Sequence, residues 1–106
     1  MSYRMAFSSG VHDAIADQTE YLLESGAGEA VVTDWLARLH DKLQALREYP
    51  RLYPRAELVS RAKGYGVHRL NHGEHALFYR IDDDRRVVEV LDFRHGRRKP
   101  TTEIGA

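Results

Sequence analysis

The feature that most constrains the fold is an apolar stripe in the first half of the chain. Between residues 32 and 46, apolar side chains recur every three or four residues, at Val32, Trp35, Leu36, Leu39, Leu43 and Leu46. This is the period of one face of an α-helix. The pattern predicts a long amphipathic helix that ends before Pro50, because proline donates no backbone hydrogen bond and does not fit a helix interior.

A second helical pattern precedes this one. Apolar and small residues at helical spacing predict a helix over residues 10–25, with Ser8 or Ser9 as its N-cap and Gly26 near its end. The glycine-containing segment "SGAGE" joins the two helices. Two amphipathic helices joined by a short turn form an antiparallel hairpin, whose combined apolar face we expect to pack on a sheet.

Four short runs have the patterns of β-strands. The first, "YRMAF", alternates apolar and other residues, and "GVHRLN", "HALFYRI" and "RVVEVLDFR" follow later, separated by the turn-forming segments "NHGE" and "DDDR". The last two runs are apolar on both faces, so we expect them to be the central strands. The preceding segment, "YPRLYPRAELVSRAKGYG", contains two prolines and two glycines and is predicted to be an ordered loop.

This order of elements predicts an α+β fold with two layers. An N-terminal strand is followed by an antiparallel helical hairpin and then by a three-stranded antiparallel meander that completes one four-stranded sheet. The hairpin covers one face of the sheet, and the other face is at least partly open. With 106 residues, the chain is expected to form a single domain, 1–106, since typical domains have about 100–150 residues.

Composition limits the compartment and the chemistry. The chain has no cysteine, which excludes disulfides and thiolate zinc sites and fits a reducing cytoplasm. No stretch approaches the roughly 18 apolar residues of a membrane span, and the N-terminus "MSYRMAFSSG" lacks the apolar core of a secretory signal. We therefore expect a soluble cytoplasmic protein that does not contact a membrane.

Charge is unevenly distributed although the net charge is zero. Residues 1–48 contain eight acidic and four basic side chains, a balance of −4, whereas residues 85–100 contain six basic and two acidic side chains, a balance of +4. The basic C-terminal part suggests contact with an anionic partner, either nucleic acid or an acidic protein surface. Compensation of the acidic helices by a solvated strand end explains the asymmetry equally well.

The basic stretch "DFRHGRRKP" contains the residue types of an RNA-cleaving site. Such a site needs a base, an acid and cations that stabilise the transition state. Histidine is a residue type that can act as an acid or a base, which makes His95 a candidate, and Arg94, Arg97 or Arg98 can hold a phosphate. A histidine in a basic strand end is also common in proteins without catalysis, so a binding role is favoured.

The first of the two C-terminal hairpins contains further candidate residues. Arg69 is expected to lie near Tyr79 or Arg80 across the hairpin, where phosphate contacts are conceivable. His68, His72 and His75 have a spacing that could suggest a metal site, but they span a turn and no second group of ligands supports them. We expect neither a metal nor a cofactor.

Two motifs, in this order, give the chain a family resemblance. They are G-x-x-R-L-x-x-G-x-H-x-L-F-Y-R-I-D, from Gly66 to Asp82, and V-x-V-L-x-x-x-H-G-R-R-x-P, from Val88 to Pro100. With the N-terminal strand, the helical hairpin and the "Y-P-R" after the second helix, the chain resembles the RelE/ParE superfamily of bacterial toxins from type II toxin–antitoxin systems. The resemblance extends from Tyr3 to about Pro100.

Two activities occur in this superfamily. RelE-like members cut mRNA on the ribosome, and several use an arginine before the "L-x-Y" of the middle strand and a tyrosine near the C-terminus. Here Ala76 stands at the first position, and no tyrosine follows Tyr79. ParE-like members block DNA gyrase without an established hydrolytic site, and their motifs match the segments from His75 to Arg80 and from His95 to Arg98.

The resemblance therefore implies a ParE-like gyrase inhibitor that is not an enzyme and that contributes to plasmid stabilisation. The implied target-binding residues are Arg94, His95, Arg97, Arg98 and Lys99. A RelE-like endonuclease is the alternative, with Arg69, Arg80, His95 and Arg97 as its catalytic residues. A non-toxic family member that only binds partners is a third possibility.

The resemblance also implies a cognate antitoxin, of the ParD type with a DNA-binding N-terminal part. A disordered segment of this antitoxin would fold as a helix or strand on the helical hairpin and the sheet edge, and Trp35, Leu39 and Leu43 are the expected contacts. From the acidic balance of residues 1–48, we expect this segment to bring basic residues to the helices.

Overall fold

The computed structural model describes residues 2–96. Within these residues, seven elements follow one another: β1 (Arg4–Phe7), α1 (Val11–Glu24), α2 (Glu29–Glu48), α3 (Glu57–Lys63), β2 (His68–His72), β3 (His75–Asp82) and β4 (Val87–His95). The predicted α+β class and the order of its strands and long helices are confirmed. No helix among these residues has the length and apolarity needed to cross a membrane.

The sheet has the strand order β1-β4-β3-β2, so β3 and β4 are central as predicted. β2, β3 and β4 form an antiparallel meander, and β1 pairs in parallel with β4. A register shift between Phe78 and Tyr79 leaves Leu91 of β4 without a cross-strand partner, which is a β-bulge. The bulge reverses the alternation of side chains along the rest of β4.

The helical hairpin packs on one face of the sheet. Leu39 and Leu46 of α2 are buried against sheet residues that include Leu77, Tyr79 and Val88. The Tyr79 hydroxyl donates a hydrogen bond of 2.8 Å to the carbonyl oxygen of Pro50. This buried bond fixes the end of α2 and the segment after it to the centre of the sheet.

The segment predicted as an ordered loop contains the short helix α3, so this prediction was wrong. Its prolines and glycines lie outside residues 55–63, where nothing prevents helix formation. Glu57 in the first turn and Lys63 in the last complement the helix dipole, and Gly64 ends the helix in the left-handed conformation, with φ of 80°. Val59 of α3 packs with Phe78 on the second sheet face, which is therefore partly covered.

The start of α1 also differs from the prediction. The N-cap is Gly10, with φ of 89° and no side-chain cap, rather than Ser8 or Ser9. The backbone N–H of Ser8 instead donates to the carbonyl of Val90 and continues the pairing of β1 with β4. Gly10 then turns the chain in a left-handed conformation that a serine would adopt only with strain.

Candidate target-binding site

A cluster of aromatic and histidine rings lies where β3 begins and β4 ends. His75 stacks on Phe93 with ring centroids 5.0 Å apart, and the ring of His95 meets that of His75 at 5.3 Å. Burial lowers the pKa of His75, and the neighbouring His95 lowers it further. His95 Nε2 also lies 3.8 Å from a carboxylate oxygen of Glu74, which is longer than a hydrogen bond.

This cluster forms one wall of a groove against α1. The groove has a volume of about 470 Å³ and is lined by Ala14, Asp17, Gln18, Tyr21, His75, Asp92, Phe93, Arg94 and His95. Tyr21 of α1 is 62% exposed on its rim. Exposed aromatic side chains next to charged groups are typical of protein-binding surfaces.

The two target-binding residues that the structure describes, Arg94 and His95, both line this groove, but they lie on opposite faces of the sheet. His95 pairs with His75 across β3 and β4, on the face where Phe93 contacts the helical-hairpin core. Arg94 is the cross-strand neighbour of Ala76 on the opposite face, where its side chain is 11% exposed and donates a 2.7 Å hydrogen bond to Asp92. Arg97, Arg98 and Lys99 lie outside the described residues.

The alternative catalytic residues that the structure describes come together only in part. Arg69 is paired with Phe78, so Tyr79 and Arg80 follow next along the paired strand, near Arg69 as expected, and Arg69 shares the α3 face of the sheet with Arg80. The Arg69 guanidinium also lies close to Gly96, at the end of β4. His95 lies on the helical-hairpin face because the bulge at Leu91 shifts the alternation of β4. The fourth residue, Arg97, is outside the described part of the chain. A sequence cannot easily show this separation, because the bulge has no distinctive residue pattern.

The two arginines of the α3 face differ in how firmly they are held. Arg69 donates a 2.9 Å hydrogen bond to the side chain of Asn71 and lies 5.6 Å from the centre of the Phe78 ring. Arg80 lies 3.8 Å from Glu89. Ala76, where RelE-like relatives carry an arginine, is 1% exposed and belongs to the apolar cluster of this face.

Two of the expected antitoxin contacts are core residues. Leu39 is 3% exposed and Leu43 is 9% exposed, and both pack in the core beneath α2. Their helical spacing marked an apolar face, but that face is the one covered by the sheet. Trp35 is partly buried, and its ring lies 4.9 Å from that of His72.

Other apolar side chains of the hairpin are exposed and were not predicted from the sequence as antitoxin contacts. They are Tyr21 and Leu23 on α1, and Val31 and Leu36 on α2. Leu36 was counted in the predicted stripe, whereas Val31 lies next to that stripe. Positions at or beside the edge of the apolar stripe could have indicated these residues, since the edges of such a stripe project beyond the contact between helix and sheet.

His72, one of the three histidines with metal-like spacing, has a structural role. Its Nδ1 accepts a 3.1 Å hydrogen bond from Lys42 Nζ, so its Nε2 carries the proton and donates to the carbonyl of Trp35 at 2.9 Å. Burial lowers the pKa of His72. Within residues 2–96 there is no group of three or more histidine or carboxylate side chains placed to hold a metal ion.

Comparisons with known proteins agree with this fold. The RelBE2 toxin–antitoxin complex from Mycobacterium tuberculosis has a chain that is 19% identical, with a TM-score of 0.55, covering 90% of this chain and 99% of that one. A RelE–RelB complex from Pyrococcus horikoshii is 15% identical with a TM-score of 0.55, covering 93% and 100%. A mutant of the E. coli toxin RelE in the free state is 20% identical with a TM-score of 0.51, covering 92% and 86%.

No curated protein sequence matches the chain significantly. A family model, however, matches residues 7–100, and its description is "ParE toxin of type II toxin-antitoxin system, parDE". This match covers most of the chain and includes both motifs around the two C-terminal hairpins. The protein thus belongs to the ParE toxin family of type II toxin–antitoxin systems, within the RelE/ParE superfamily.

Proposed function

We propose that this toxin inhibits DNA gyrase by binding to it, without cleaving RNA, and that a cognate ParD-like antitoxin neutralises it in the cytoplasm. The observation that carries the proposal is the separation of His95 from Arg80, because the bulge at Leu91 places His95 on the opposite sheet face and the two residues lie beside opposite ends of β3. Membership of the ParE family supports the same target class.

This separation argues against the RelE-like alternative. RNA cleavage by the 2′-hydroxyl requires proton-transfer groups and cations around one phosphate, within hydrogen-bond reach of the reacting atoms. His95 and Arg80 lie on opposite faces of the sheet and beside opposite ends of β3, so they cannot surround one phosphate. Ala76 adds no charge to the α3 face, where its side chain contacts the apolar cluster.

The groove between α1 and the end of β4 is the part of the described surface that best fits target binding. It presents Tyr21, His75 and His95 next to the point where the basic residues Arg97 and Arg98 follow in the sequence. Aromatic and arginine side chains are the residues most often important in protein interfaces. Arg94 holds Asp92 at the base of this region and is proposed to support the strand end rather than to contact the target directly.

The antitoxin is proposed to bind the exposed edges of the helical hairpin. Two of the solved relatives are complexes of a toxin with its antitoxin, and Tyr21, Leu23, Val31 and Leu36 provide exposed apolar side chains on α1 and α2. Leu39 and Leu43 would support this surface from the core. The acidic balance of residues 1–48 favours a basic antitoxin segment, whose association should slow as salt is added.

A supercoiling assay with purified gyrase tests the proposed target surface. We expect the wild-type toxin to inhibit supercoiling and the Arg97→Glu, Arg98→Glu double variant to lose most of this inhibition. Arg61→Glu, Arg85→Glu is the matched control, because both side chains are exposed and neither lines the groove.

Equal loss of inhibition in both double variants would indicate a general charge effect and contradict the assigned surface. If the wild-type protein leaves supercoiling unchanged but cuts mRNA on translating ribosomes, the RelE-like alternative is correct. His95→Ala would then be the first variant to test.

A further inference from the structure

A second cleft lies at the end of β3 opposite His75 and is separate from the proposed target surface. It has a volume of about 380 Å³ and is lined by Arg51, Arg55, Tyr65, Gly66, His68, Arg80 and Ile81. Three guanidinium groups from two distant parts of the chain therefore face one small cavity. Its volume is within the range of small-ligand sites, which is about 300–1,000 Å³.

The backbone around this cleft is fixed before any ligand binds. Arg55 forms a β-bridge with His68, the N–H of Ala56 donates to the carbonyl of Val67 at 2.8 Å, and the N–H of Arg69 donates to the carbonyl of Pro54 at 3.0 Å. The segment after α2 is thus held against the start of β2. A preorganised wall reduces the entropy cost of binding.

Two of the arginines are positioned without a close carboxylate among residues 2–96. The Arg80 guanidinium lies over the Tyr65 ring, 4.7 Å from its centre, and its nearest carboxylate, on Glu89, is 3.8 Å away. Arg55 lies 3.6 Å from Glu57. Both distances exceed those of a hydrogen bond, so these ion pairs do not occupy the guanidinium N–H groups.

The remaining polar groups complete the wall. Arg51 is held by Asp83 through hydrogen bonds of 2.6 and 3.4 Å, which use two of its five donors. His68 Nδ1 donates to the carbonyl of Tyr53 at 2.8 Å, since a carbonyl only accepts. Its ring is therefore oriented, and it stacks on Tyr79.

We propose that this cleft binds a phosphate group carried by a nucleotide, with Arg55 and Arg80 as its principal ligands. Guanidinium groups match phosphate oxygens by paired, charge-assisted hydrogen bonds. Convergence of more than one guanidinium suits a phosphate with several acceptor oxygens better than a single carboxylate. The phosphate belongs either to a free nucleotide or to a single strand of nucleic acid.

The test is a titration of the isotope-labelled full-length chain followed by nuclear magnetic resonance. The probes are inorganic phosphate, AMP and a short single-stranded oligodeoxynucleotide. We expect the amide signals of Tyr65, Gly66 and His68 to shift with each probe. Arg55→Ala and Arg80→Ala should weaken binding roughly tenfold to a hundredfold, the loss that follows from removing a charge-assisted hydrogen bond.

Arg61→Ala is the matched control, since Arg61 is an exposed arginine of α3 that does not line the cleft. Arg80→Lys is the second variant, because it keeps the charge but loses the paired donors, and it should also bind weakly. Tighter binding of the strand than of AMP would identify nucleic acid as the source of the phosphate, and equal binding would identify free nucleotides. Absence of shifts, or an equal loss in Arg61→Ala, would overturn the proposal. This binding experiment contains no gyrase, so its outcome is independent of whether gyrase is the target.

Discussion

Replacing Tyr79 with phenylalanine removes one hydroxyl from the centre of the fold. Tyr79 is fully buried, and its hydroxyl donates to the carbonyl of Pro50 at 2.8 Å. The variant keeps the ring but leaves a buried carbonyl without this donor, which costs about 1–2 kcal/mol of unfolding free energy near neutral pH. Tyr49→Phe is the control, because the Tyr49 side chain is 68% exposed and its substitution should change stability by less than about 0.5 kcal/mol.

At alkaline pH, the same substitution removes an ionisable group whose burial destabilises the wild type. Burial raises the pKa of Tyr79 to about 12, whereas an unfolded tyrosine ionises near pH 10. A raised pKa means that the stabilising contribution is complete below about pH 10 and is lost as the pH rises towards the folded value, so the wild type loses about 1.4 kcal/mol by pH 11. Phenylalanine cannot ionise, so the difference in unfolding free energy between the wild type and Tyr79→Phe should nearly disappear at that pH.

Urea unfolding at neutral pH and at about pH 11, followed by the fluorescence of the single tryptophan, measures both effects. Other ionisable groups are common to wild type and variant, so their contributions cancel in the difference. If Tyr79→Phe is as stable as the wild type at neutral pH, or is less stable by the same amount at both pH values, the proposed burial and hydrogen bond of Tyr79 are refuted.

Three further predictions concern stability. Burial lowers the pKa of His72, so the unfolded chain binds the proton more readily than the folded one. The free energy of unfolding of the wild type should therefore fall as the pH drops below about 6.5. Urea unfolding of His72→Gln should show a weaker fall over the same pH range. Leu46→Ala, at a fully buried position, should cost about 2–5 kcal/mol, and a smaller loss by urea unfolding would contradict the described core. Hydrogen bonds from Arg51 and Tyr3 lower the pKa of Asp83, so the contribution of Asp83 to the free energy of unfolding is lost as the pH falls through that lowered pKa. Asp83→Asn should be less stable than the wild type at neutral pH, and its stability should fall less as the solution is acidified.

The long helices and the central strands were predictable because their burial repeats regularly along the sequence. The stripe from Val32 to Leu46 follows the helical period, and it lies within α2, Glu29–Glu48. The apolar runs of β3 and β4 likewise marked them as central. The short helix α3 was missed because the prolines and glycines that flank it obscured its seven residues.

The candidate sites were less predictable, because they depend on which face each side chain occupies. One unpaired residue, Leu91, moves His95 to the helical-hairpin face, and no local pattern announces this. Helical spacing selected Leu39 and Leu43 as an apolar face but did not show that the sheet covers them. The cleft around Arg55 and Arg80 depends on contacts between distant segments, which a single sequence does not specify.

The most direct test of the central claim is to add the purified toxin to purified gyrase with relaxed plasmid DNA, and in parallel to ribosomes translating a defined message. We predict that supercoiling is inhibited, that cleaved DNA accumulates in a complex with gyrase, and that the message remains intact. Unchanged supercoiling together with cleavage of the message, from folded protein that stops growth when expressed, would contradict the claim.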